Sequence, residues 1–150
     1  MNIKHHTHPD QLERYSFLWS EARLMIAALA LFIGGIPPVL AFNPIPALQG
    51  FLSSLLTFAW VASGLASGYL LYRWNRGGKM LFGKKDQRDT VAFFVSVVSG
   101  INLGFTGLFG TNLGMSITSS RFIFFIAGIL YLYSAHHLYR HWKAYGKKLF

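Results

Sequence analysis

Four long apolar stretches, separated by short polar or proline-rich segments, set the pattern of this chain. The first covers about residues 17–36 and stops at Pro37-Pro38. Proline lacks the N–H of the helical ladder and clashes with the preceding turn, so the pair predicts a helix end. The others cover residues 47–72, 90–109 and 121–141. Each is about 20 residues or longer, enough for a helix to cross the ~30 Å hydrocarbon core of a bilayer. The second, near ~39 Å at the helical rise, must tilt or protrude. Residues 39–46, apolar but proline-rich, predict an extended turn, and residues 110–119 a loop. Asp89, and Ser119 or Ser120, stand where they can cap the helices that follow.

Ahead of the first stretch, Asp10 can cap a helix in which Leu12, Tyr15, Trp19 and Ala22 share one face. Glu13, Arg14 and Glu21 lie elsewhere. This predicts a short amphipathic lead-in resting at the membrane interface, where Tyr and Trp are enriched. A cleavable signal peptide is the rival for residues 24–41. The segment before its apolar core is long and mixes acids with bases, which counts against it. The fold class expected is an all-α integral membrane protein: four transmembrane helices as two hairpins, one domain over residues 1–150, with an interfacial N-terminal helix.

Composition agrees. Of 150 residues, 53% are hydrophobic and 13% charged, about half the charged share of soluble domains. The net charge of +9 invites a nucleic-acid partner. The basic residues, however, sit at the ends of apolar runs, which suits anionic lipid headgroups instead. The loop at residues 73–89 concentrates Arg73, Arg76, Lys79, Lys84, Lys85 and Arg88, the expected headgroup contacts. Its apolar Met80-Leu81-Phe82 is expected to dip into the interface. With this loop and both termini on one side, that side holds every Lys and Arg except Arg121. The positive-inside rule therefore predicts cytoplasmic termini, in a membrane expected to be the bacterial cytoplasmic one. A re-entrant first or third span is the alternative.

Candidate chemistry is sparse. Ser96, Gly100, Gly104, Gly107 and Thr111 form a small-residue seam on the third span, and Gly64 and Gly68 offer a matching edge on the second. Such seams let backbones approach closely in lipid, either between these spans or between protomers. Asn102, Thr106, Thr111 and Asn112 can line a polar path. Imidazoles bind zinc or haem iron, which makes His137 and His141 weak candidates, with His5, His6 and His8 able to approach. An interfacial basic rim explains them more simply, and no cofactor is expected. The acids Asp10, Glu13, Glu21, Asp86 and Asp89 all fall outside the span centres, so proton coupling and paired-carboxylate chemistry lack their groups. There is no cysteine. Ser63, Ser67 and Ser99 have no histidine base at their depth, and no nucleotide or metalloprotease motif occurs. The function expected is therefore non-enzymatic: a helix-packing scaffold or accessory subunit, as a homo-oligomer or within a larger membrane complex. The alternatives are an oligomeric channel or uncoupled transporter for anions or small solutes and, after it, a His-ligated haem or metal protein.

Overall fold

In a computed structural model, which describes residues 8–150, the four apolar stretches form four long helices. Lys4, His5 and His6 lie outside the described residues. The order is α1 (Pro9–Phe32), α2 (Pro38–Ala41), a 3-10 turn (Pro46–Leu48), α3 (Gln49–Arg76), α4 (Gln87–Phe109), α5 (Leu113–Ile117) and α6 (Arg121–Ala144). α1, α3, α4 and α6 are each long and apolar enough to cross a membrane. They run up and down as a bundle in which α3 packs most closely on α4, and α1 on α6. The start of α1 and the ends of α3 and α6 meet at what we term the termini end. There the Tyr69 hydroxyl donates to the Pro9 carbonyl at 3.2 Å. α2, the 3-10 turn and α5 lie at the far end.

Several boundaries differ from expectation. α1 stops at Phe32, ahead of Pro37-Pro38, because Gly34 and Gly35 adopt φ of 90° and 88°. Only glycine enters that region without steric cost. The Gly35 N–H then returns to the Ala30 carbonyl at 2.7 Å, closing the helix end. The interfacial lead-in is not a separate element, since Pro9–Phe32 is one continuous helix. α4 is capped by Asp86 rather than Asp89. One Asp86 oxygen accepts the backbone N–H groups of Arg88 at 2.8 Å and Asp89 at 3.2 Å. The bonds from Asp89 and Arg88, with the nearby Lys84 charge, hold the Asp86 carboxyl below its usual range.

α1 buries polar and charged residues beside the apolar Phe17, Leu24 and Ala28. Glu13, Ser16, Ser20, Glu21 and Arg23 are buried, while Leu12, Tyr15, Met25, Ile26 and Leu29 are exposed. In lipid, apolar surface costs nothing to display, whereas polar groups must find partners within the protein.

The interior is packed unevenly. The termini half is filled by Phe17, Leu70, Phe93, Val97, Leu138 and Trp142, with the Phe17 and Trp142 rings 5.3 Å apart. Leu81 and Phe82 join this core, so the expected dip into the interface does not occur; of the apolar trio only Met80 is exposed. The Phe82 N–H donates to the Leu149 carbonyl at 2.8 Å. Glu13 closes the arrangement. One of its oxygens meets Arg73 at 2.7 Å, and the other accepts the N–H groups of Leu149 at 3.2 Å and Phe150 at 3.4 Å. The far half, in contrast, is hollow.

Candidate functional site

The hollow is a partly open cavity of about 390 Å³ between α1, α3, α4 and α6. Its volume falls within the ~300–1,000 Å³ usual for small-molecule sites. The walls are mostly apolar, from Ile26, Leu31, Leu56, Leu103, Ile123 and Phe124. Pro37, Pro38, Met115 and Thr118 border it at the far end. Polar groups gather at the opposite side, where Trp19, Arg23, Ser63, Ser99 and Tyr131 reach the wall.

Arg23 is the central feature. It occupies the middle of α1 and is only 6% exposed. Its Nη1 donates to the Ser99 hydroxyl at 3.0 Å and its Nη2 to the Ser96 carbonyl at 2.8 Å. Ser96 and Ser99 lie midway along α4, so the guanidinium sits at half the height of the bundle. Its Nε is buried without a hydrogen-bond partner. Glu21, 4% exposed, lies close enough to interact electrostatically with Arg23 and has the Ser96 side chain beside it, though neither carboxylate oxygen has a hydrogen-bond partner of good geometry. Beside them the Trp19 indole N–H donates to the Ser63 hydroxyl at 3.0 Å. Trp19 and Arg23, one helical turn apart, thus face the same cavity.

Glu21 departs from the expectation that the acids fall outside the span centres: with Arg23 it stands in the middle third of Pro9–Phe32, a helix long and apolar enough to cross a membrane. Both follow the lead-in residues without a break, and continuity of the helix carries them inward. A signal was present: Glu13, Ser16, Ser20 and Arg23 recur at steps of three, four and three, a polar stripe on one face.

The other sequence candidates divide by location. Gly64 and Gly104 touch backbone to backbone, so that a Cβ on either would stand 2.7 Å from the other's Cα. A Cβ on Gly100 would strike the Ser67 side chain, and one on Gly107 would come within 3.0 Å of the Thr57 carbonyl. At Gly64, Gly100, Gly104 and Gly107 the seam is therefore filled by α3 against α4. Gly68 stands apart, with open space where its Cβ would be, and Ser96 serves Arg23. The four residues of the expected polar path tie down the far end. The Asn102 amide donates to Asn112 at 2.9 Å and its carbonyl oxygen accepts the Leu113 N–H at 2.9 Å. The Thr106 hydroxyl reaches the Asn102 and Thr111 carbonyls. Asn102 and Asn112 also border the cavity. Beyond Arg23, toward the termini end, Phe17, Leu70, Phe93 and Val97 fill the bundle.

Of the basic loop residues, Arg73 is engaged with Glu13, Lys84 lies near Asp86 and Asp89, and Arg76 donates to the Tyr72 hydroxyl at 3.0 Å. Lys79, Lys85 and Arg88 are exposed. His137 and His141 converge on Asp89 at the termini end. No family model, curated protein or solved structure matches the chain. The cavity and its arginine must therefore be read from their own chemistry.

Proposed function

We propose that the protein binds a small amphiphile with an anionic head, such as a carboxylate or phosphate on an apolar chain, in the far-half cavity. The observation that carries this is Arg23: a buried guanidinium beside an apolar hollow, with a donor to spare. Arginine is the side chain best suited to carboxylate and phosphate, and an interaction with it is strengthened where water is scarce. Ser63, Ser99 and the Trp19 indole add polar groups beside it, and the walls suit a hydrocarbon body. Trp19, Ser63 and Arg23 act here as binding groups, and no catalytic step is part of the proposal. A through-path for ions gains no support from a termini half filled with aromatic and aliphatic side chains. Assembly through the glycine seam gains none from a seam already occupied.

Purified protein in mild non-ionic detergent is the test. Medium-chain fatty acids and alkyl phosphates are expected to raise its unfolding temperature, and alcohols of equal chain length to raise it far less. Arg23→Gln is expected to erase the difference between acid and alcohol. Equal shifts with acids and alcohols in the wild-type protein would sink the proposal.

We infer further that the termini end faces the cytoplasm. With Arg23 taken into the bundle, the basic residues outside it still crowd at that end, against Arg121 alone at the other. The absence of cysteine makes single-site labelling clean. In intact cells a membrane-impermeant maleimide is expected to label Ile117→Cys, 85% exposed at the far end. Lys85→Cys should be labelled only after lysis. The reverse pattern would invert the orientation.

A further inference from the structure

We propose a divalent-metal site of the zinc type at the termini end, formed by Asp89, His137 and His141. Asp89 is the third residue of α4 and its carboxylate is fully buried. From α6, His137 and His141 present ring nitrogens one turn apart to the same carboxylate oxygen: His137 Nε2 at 2.7 Å and His141 Nδ1 at 2.7 Å from Oδ1. The three ligand atoms lie within 4.8 Å of one another. In a tetrahedral site with bonds of about 2.1 Å, ligand atoms stand roughly 3.4 Å apart. The two nitrogen–oxygen spacings of 2.7 Å are hydrogen-bond distances and fall short of that value, so side-chain rotations that part the three atoms slightly would admit an ion. The second oxygen, Oδ2, is buried and has no hydrogen-bond partner. The Lys84 ammonium stands 3.5 Å from it, on a side chain exposed enough to turn away when a cation takes over its charge.

The rings are held in place. His137 stacks on Tyr133 with centroids 5.8 Å apart, His141 meets the edge of Phe82 at 5.7 Å, and the two imidazoles lie 4.2 Å apart. Phe82 is in turn pinned by its bond to Leu149. Two imidazoles and one carboxylate form a borderline N/O set that suits Zn²⁺ and related divalent ions, and three protein ligands leave a position open for water. The site lies at the opposite end of the bundle from the Arg23 cavity and does not depend on it. The ion would join α4 to α6.

Zn²⁺ alone is the probe, with untagged full-length protein stripped of metal by chelation and then dialysed to equilibrium. The control background replaces His5, His6 and His8 with Asn, which removes binding by the N-terminal histidines. In that background one equivalent of Zn²⁺ is expected, with a rise in unfolding temperature. Asp89→Asn, which keeps the shape of the side chain, and His141→Gln are each expected to weaken binding at least 100-fold and to abolish the rise. Cobalt(II) should give the absorption of a tetrahedral N/O site in the background protein and not in the variants. Stoichiometry equal in the background and Asp89→Asn proteins, or no bound zinc in the background protein, overturns the assignment.

Discussion

Arg23→Leu is expected to destabilise the bundle by about 1–3 kcal/mol, the cost typical of leaving buried hydrogen-bonding groups without their partner. The wild-type guanidinium holds the Ser96 carbonyl and the Ser99 hydroxyl and lies close enough to Glu21 to interact with it electrostatically. Leucine would leave the Ser96 carbonyl and the Ser99 hydroxyl without their donor in a buried place. The double variant Glu21→Leu/Arg23→Leu is expected to recover part of the loss, because it also removes a buried carboxyl that lacks a hydrogen-bond partner. Reversible unfolding in detergent, run as a double-mutant cycle, separates the coupling from the effect of each site alone. If the single and double variants unfold at the same point, Glu21 is not coupled to Arg23, and the polar cluster drawn beside the cavity is wrong.

A comparable effect is expected at the α3–α4 contact. Gly64→Ala places a methyl group 2.7 Å from the Gly104 Cα, closer than real contacts allow, and both obstructing groups are backbone. The helices must separate. Inserting a methylene into a packed interior costs about 1–3 kcal/mol where side chains can yield, and here none can. Gly104→Ala should behave alike. Gly68→Ala is the internal control: it sits on the same helix with nothing within 4 Å of its new Cβ, and alanine favours a helix over glycine by about 1 kcal/mol. The two α3 variants should therefore move the unfolding midpoint in opposite directions, and a shared direction would count against the close approach. The expected loss is of the fold itself rather than of an oligomer, since the seam lies within one chain.

The contrast between Gly64 and Gly68 shows how far the sequence could be read. Four helices long and apolar enough to cross a membrane follow from run length alone, because crossing lipid demands a minimum of apolar residues in a row. The start of α6 at Arg121 and the end of α4 at Phe109 could be placed because polar and glycine residues punctuate them. A seam of small residues was visible too, but spacing assigned Gly68 to it when rotation about the helix turns Gly68 away. The cavity was hidden for a different reason. Tyr15 and Trp19 suggested an interface, and that placed Glu21 and Arg23 at the membrane edge. Nothing between Pro9 and Phe32 breaks the helix, so the polar stripe is carried to the bundle centre. Asp89 was hidden by a competing role: a carboxylate just before an apolar run reads as a cap. Asp86 takes the cap, which leaves Asp89 for the two histidines, a pairing set by packing of α4 on α6 that no local pattern records.

The Glu13 clasp has a consequence for how the protein is made. Glu13, on the first helix, receives its last hydrogen bonds from Leu149 and Phe150, more than 130 positions along the chain. During synthesis the first helix is available long before those donors exist. Until α6 and the segment after it emerge, Glu13 has only Arg73 to face, and Phe17 lacks the Trp142 ring. The densest part of the molecule is thus the last to finish, and a chain interrupted within α6 would leave an unsatisfied acid and an open aromatic face, features by which quality control can recognise an incomplete product.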